Sequence, residues 1–272
     1  MAKISETALL VNWSKAKNAA ISKDRWAHLW VTKESARIAE EYTEKVVPGH
    51  PLVPALRNRF FVDALQAFEK KHEEFTFINL AAGFTSYPYL ISPHHPVYEI
   101  ELPHVIAYRK KKIKEFEAAG QLPKRKINFL SLDLNEAPSI KQIEEIILNQ
   151  KGTVFVLMEG LLYYLTQEAI DRLFGLWNQS LPKGSQLGFV TWPSAIKDTP
   201  AMKGLRGCFE KWLQWPQDQY TWIERDYFSR WDHLKILEET NYLVLEKKYC
   251  NRPNELVPGT FVDESVFLME KS

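Results

Sequence analysis

Phe75 to Pro103 reads FTFINLAAGFTSYPYLISPHHPVYEIELP, and this stretch decides the fold. Its first six residues, Phe75–Leu80, have the length and composition of a buried parallel strand. The run breaks into Ala81-Ala82-Gly83, side chains small enough for a ligand's polar groups to approach the backbone. A second run, Val97–Leu102, carries Glu99 and Glu101 and stops at Pro103. A strand, a small-residue turn and an acidic strand end about 20 residues further on can hold an adenosine ribose. The turn leaves N–H groups free, and the carboxylate accepts from both ribose hydroxyls. A tight strand-to-helix turn of any α/β protein fits equally, because Ala81 stands where a G-x-G pattern needs its first glycine.

Outward from this unit, strand-like runs recur at Ile127–Leu132, Thr153–Met158, Gln186–Thr191, Tyr242–Leu245 and Ser265–Met269. Helical segments at about Pro103–Ala118, Ser139–Asn149 and Gln167–Gln179 lie between them. The alternation predicts an α/β fold with a mostly parallel sheet wound on both faces. Only Asn251–Asp263, broken by Pro253, Pro258 and Gly259, separates the last two runs, so an antiparallel hairpin is expected at one edge. Before Phe75 the chain reads as helices: one capped by Ser5 with Leu10 and Trp13, one over Asp24–Val46, and one over Pro54–Lys71. Arg57, Arg59 and Asp63 share helical spacing in the third, and on spacing alone they read as surface salt bridging.

The length suits one α/β domain with additions. We expect a single domain over residues 1–272, with a helical N-terminal cap (1–72), a cofactor-binding half (73–193), an insert or lid (194–223), and a C-terminal helix and edge hairpin (224–272). Thirty-five basic against 34 acidic residues give no electrostatic case for nucleic acid or a membrane surface. The dense basic run Arg109-Lys110-Lys111-Lys112 reads as a solvated helix face. Cys208 and Cys250 form neither a disulfide framework nor a zinc spacing. No apolar run reaches the length of a membrane span, and a cytoplasmic protein is expected. Five of the nine tryptophans (Trp192, Trp212, Trp215, Trp222 and Trp231) fall within or beside the insert after the fifth strand. Such an insert either lines a ligand site above the strand ends or packs on itself.

Met158-Glu159-Gly160-Leu161-Leu162-Tyr163-Tyr164-Leu165 carries a specific resemblance. A strand running into E-G-L-L-x-Y-L resembles the leucine carboxyl methyltransferase family of S-adenosylmethionine-dependent O-methyltransferases. Other segments match in order: Ser5–Leu10 as S-x-T-A-L, Leu56–Phe60 as the arginine segment, Asn79–Gly83 as the glycine motif, Glu99–Pro103 as E-x-D-L-P, and Asp133-Leu134. The resemblance implies a seven-stranded Rossmann-like methyltransferase fold with S-adenosyl-L-methionine as cofactor. Gly83 would admit its methionine end, Glu101 would take the ribose diol, and Asp133 and the Leu134 amide would face the adenine. Arg57 would pair with the cofactor's carboxylate and Glu159 would lie near its ammonium. Tyr164 would help close the pocket. The family loop G-x-G-x-D-T-R is altered here to Ala81-Ala82-Gly83-Phe84-Thr85-Ser86-Tyr87, and Glu101 replaces an aspartate.

The implied acceptor is a carboxylate or hydroxyl of a small molecule or peptide. No catalytic side chain is assigned and no metal is expected, since the adjacent His94 and His95 make a poor site and His104 reads as a helix-start residue. Trp212 and Trp215 are expected to line an apolar acceptor pocket. A catalytically altered cofactor-binding protein of the same fold, or a nicotinamide-dependent oxidoreductase, are the alternative readings. Oligomeric state is left open.

Overall fold

The computed structural model describes residues 6–45, 47–48, 51–213, 219–253 and 255–272, with backbone alone at 6–8, 45, 212 and 213. Seven strands form one sheet: β1 Phe75–Leu80, β2 Val97–Glu101, β3 Asn128–Ser131, β4 Thr153–Met158, β5 Gln186–Thr191, β6 Leu234–Thr240 and β7 Ser265–Lys271. Their order is β3-β2-β1-β4-β5-β7-β6, with β1–β5 parallel and β7 antiparallel to both β5 and β6. The sequence of β4 explains its central place. Phe155 and Leu157 enter the core on one face, Val154, Val156 and Met158 the core on the other, and none of them is exposed.

On the first face lie the N-terminal helices α1 (Glu6–Lys17), α2 (Ala19–Ser22), α3 (Lys33–Lys45) and α4 (Val53–Lys71), where α4 packs against α1, α2 and β5. On the other lie α6 (Ala137–Leu148) and α7 (Gln167–Ser180), packed together. Helix α5 (Pro103–Ala118) leaves the end of β2, as expected, and α8 (Pro200–Leu213) follows β5. Strands β1 and β2 are joined by residues 81–96 with only a 3₁₀ turn at Tyr87–Tyr89.

Two sequence expectations are corrected. Tyr242–Leu245 is no strand but the start of helix α9 (Tyr242–Tyr249), because the Asn241 side chain caps it by accepting from the Val244 amide at 3.1 Å. The strand that pairs with β7 is β6, whose polar Lys235, Glu238 and Glu239 suit an edge and conceal it in the sequence. The antiparallel edge pair is therefore present, but α9 lies within its connection. The segment expected as one helix over Asp24–Val46 is divided into a 3₁₀ turn at Ala27–Trp30 and helix α3. Thr32 and Ser35 exchange side-chain and backbone hydrogen bonds there, which starts a new helix. Ser5 lies outside the described residues.

Candidate functional site

Where β1 ends, the backbone turns through two left-handed residues, Ala81 (φ 49°) and Gly83 (φ 50°). Glycine adopts this conformation without steric cost, whereas an alanine pays roughly 1–2 kcal/mol. The turn thus keeps a glycine-like geometry at the position where the family's first glycine is missing. The Gly83 amide donates to Glu101 Oε1 at 3.2 Å and the Leu102 amide to Oε2 at 2.7 Å. Burial pushes the Glu101 carboxyl above its usual range, against the pull of these two donors. The last residue of β2 is thereby locked against the small-residue turn.

A second carboxylate on β2 holds the turn from behind. Glu99 is fully buried and accepts from Arg109 Nε and Nη2, each at 2.6 Å. The same guanidinium donates to the Gly83 carbonyl at 3.2 Å and the Thr85 carbonyl at 2.7 Å. Arg109 is therefore no part of a solvated face, which corrects the reading of the basic run. It shares the inner side of α5 with Val105, Ile106 and Ile113, a helical spacing legible in the sequence.

Across the sheet, β4 runs into Glu159, around which a buried charged cluster assembles. Glu159 accepts from Arg57 Nε at 2.9 Å, Tyr87 Oη at 2.7 Å and Lys15 Nζ at 3.4 Å. Burial raises its pKa, but Lys15 and Arg57 outweigh that and hold the carboxyl below its usual range. Lys15 has no exposed surface, and burial pulls its ammonium pKa down despite Glu159. Arg57 also donates from Nη1 to Glu264 Oε2 at 2.7 Å. Gly160 follows at φ 69°, and a Cβ there would stand 3.2 Å from the Tyr163 hydroxyl and 3.5 Å from Arg57 Nη2. The E-G pair of the motif is explained by this crowding. Arg59, by contrast, makes the surface pair expected from spacing, with Asp63 at 2.8 Å. Sequence reasoning missed Lys15, Tyr87 and Glu264.

Cradle and cluster face one cavity of about 630 Å³, within the range of small-molecule sites. Arg57, Gly83, Glu101, Asp133, Leu134 and Glu159 all line it, as does Tyr164, so the structure brings together the cofactor-facing residues named from the sequence. Asp133 is exposed at the mouth, where its Oδ1 accepts from the Asn135 amide at 3.0 Å, and Leu134 is buried. Part of the wall is aromatic. Tyr163 stacks on Trp192 with centroids 3.8 Å apart, and Tyr164 faces Phe209 of α8 at 6.2 Å. Trp215 lies outside the described residues, and of Trp212 only the backbone in α8 is described. Leu10–Ser14 of α1 close the cavity from the N-terminal side.

The histidines have separate places. His95 is buried against Phe75 and pairs with Glu69 at 3.4 Å, with burial lowering its pKa, whereas His104 lines the cavity at the start of α5. Among the described residues no group of three or more His, Cys, Asp or Glu could hold a metal, and no helix is long and apolar enough to cross a membrane.

Several solved structures share this fold. A putative methyltransferase from Thermobifida fusca YX superposes with a TM-score of 0.60 at 14% identity, covering 95% of this chain and 94% of its own. Magnesium protoporphyrin IX methyltransferase from Synechocystis PCC 6803, with bound S-adenosylhomocysteine, gives 0.50 at 12% identity over 96% and 100%. A DUF574 family protein from Streptomyces avermitilis MA-4680 gives 0.62 at 11% identity over 95% and 97%. At these identities the likeness shows the fold, and the class, an S-adenosylmethionine-dependent methyltransferase, rests on a match of sequence. The model of the leucine carboxyl methyltransferase family matches residues 6–177, and the chain belongs to that family. No curated protein matches it.

Proposed function

We propose that this methyltransferase esterifies the carboxylate of a small, largely apolar acid seated against Tyr42, Tyr163, Tyr164, Trp192 and Phe209. The observation that carries this reading is the lack of a competent base beside the aromatic wall among the described residues. Glu159 and Glu264 line that side, but each already accepts from three donors. Burial keeps Tyr42 and Tyr163 protonated, and the histidine on the cavity, His104, stands just past Glu101. A hydroxyl acceptor needs a base in its transition state, whereas a carboxylate arrives nucleophilic.

S-adenosylmethionine fits the residues present: a small-residue turn with left-handed backbone, a carboxylate at the second strand end and paired buried charges on one cavity. Gly83 would admit its methionine end, Glu101 would hold its ribose, Asp133 and Leu134 would face its base, and Arg57 and Glu159 would hold its amino-acid end. Bound there, it supplies a methyl group activated by a sulfonium. The chain's own part is to position the acceptor oxygen and keep water from the reacting atoms, and the aromatic wall suits both tasks. Against the reading of a protein that has lost catalysis, the altered loop still completes the charged cluster, since Tyr87, at the family's arginine position, donates to Glu159.

The test uses S-adenosylmethionine labelled in its methyl group with a panel of aromatic and branched aliphatic acids and their matched alcohols. Label released as methanol by mild base supports ester formation. Base-stable label would point to a hydroxyl acceptor, and no transfer to any compound would favour the altered-protein reading.

A further inference from the structure

Glu264 stands just before β7, outside the segment matched by the family model. Strand register places it there: Thr191 of β5 pairs with Ser265 of β7, which sets Trp192 opposite Glu264. The Trp192 indole N–H donates to Glu264 Oε1 at 2.9 Å, while Oε2 accepts from Arg57 Nη1 at 2.7 Å and from the Tyr242 hydroxyl. All four side chains are buried, and Trp192 is also the ring on which Tyr163 stacks.

We propose that Glu264 is a positioning residue, which orients the Arg57 guanidinium for the amino-acid end of the cofactor and ties it to the acceptor wall through Trp192. The proposal rests on the assignment of Arg57 given above. One carboxylate on Nε leaves a guanidinium able to pivot about that contact, whereas a second on Nη1 fixes its plane and the edge it turns to the cavity. Glu159 supplies the first grip and Glu264 the second. Nη2 is then directed toward Gly160 and Tyr163, where both residues line the cavity. Tyr242, in α9 and off the cavity, steadies Glu264 in turn.

The test compares two ligands by calorimetry. S-adenosylhomocysteine carries the amino-acid end, and 5′-methylthioadenosine lacks it. Glu264→Gln should weaken the first by about tenfold or more and the second by less than about twofold, the scale of losing a hydrogen bond to a charged group at one end only. Should that variant fail to fold, Tyr242→Phe removes one support of Glu264 and should weaken S-adenosylhomocysteine alone, by about threefold. Equal loss for both ligands, or no loss for either, overturns the proposal, because a purely structural carboxylate would not distinguish them. Arg57→Lys separates the premise from the proposal. If it leaves S-adenosylhomocysteine binding unchanged, the assignment of Arg57 fails; if it weakens binding while Glu264→Gln does not, only the positioning role fails.

Discussion

The cradle of Ala81, Gly83, Glu101 and Leu102 comes from one strand–turn–strand unit, whereas the cluster around Arg57 draws on Lys15, Tyr87, Glu159, Trp192, Tyr242 and Glu264. In the cradle, backbone amides hold a carboxylate, and little else depends on it. In the cluster, buried charges from distant segments compensate one another, so removing one strands the others. An alteration of the cradle should therefore cost ligand binding, whereas one in the cluster should cost the fold as well.

The largest effect should come from Glu159→Ala, which leaves Lys15 and Arg57 buried without their shared carboxylate. Chemical denaturation should register a loss of about 3–5 kcal/mol, the usual result of breaking a buried ion pair from one side. Glu101→Ala should instead weaken S-adenosylhomocysteine by ~1.5–3 kcal/mol in calorimetry while stability changes far less. Comparable destabilisation by both variants would break the contrast.

Acidification should separate the two regions as well. Burial raises the Glu101 pKa, so its carboxylate is lost at a pH above the usual carboxylate range, and ligand affinity should fall there as pH drops. The Glu159 pKa is depressed, so its stabilising contribution is present above the usual carboxylate value and disappears only as pH falls through its lower folded value. Affinity and melting temperature followed together from neutral pH downward should show binding lost before the fold. Glu101→Gln should flatten the first profile and leave the second in place.

Smaller effects sharpen the comparison. Arg57→Lys should cost about 1–3 kcal/mol of S-adenosylhomocysteine binding, because an ammonium cannot keep two carboxylates on separate nitrogens. Arg59→Lys, at a partly exposed pair, should stay within about 0.5 kcal/mol. Ala81→Gly should stabilise by about 0.5 kcal/mol, the relief of a left-handed alanine less the extra chain entropy of glycine. A destabilised Ala81→Gly variant would mean that the alanine methyl group packs usefully.

The cradle was legible because its parts are close in sequence and of special type: an apolar run, a glycine, a carboxylate before a proline. Arg57 and Glu159 were legible only through motif resemblance, since helical spacing alone places Arg57 in a surface salt bridge. Lys15 and Glu264 carry no local signal, because what brings them to the cluster is the packing of α1 against α4 and the register of β5 with β7. Arg109 and the run Tyr242–Leu245 were readable and misread. One occupies an apolar helical stripe and the other follows a helix-capping asparagine, but neighbouring lysines in the first case and the apolar run itself in the second suggested the opposite.

The most direct measurement is a crystal structure of the protein with S-adenosylhomocysteine. The ribose hydroxyls should lie on the Glu101 carboxylate and the ligand's amino-acid end beside Arg57, with Glu264 still bonded to the guanidinium. A ligand lying elsewhere in the cavity, with Glu101 held only by its two amides and the amino-acid end remote from Arg57, would contradict it.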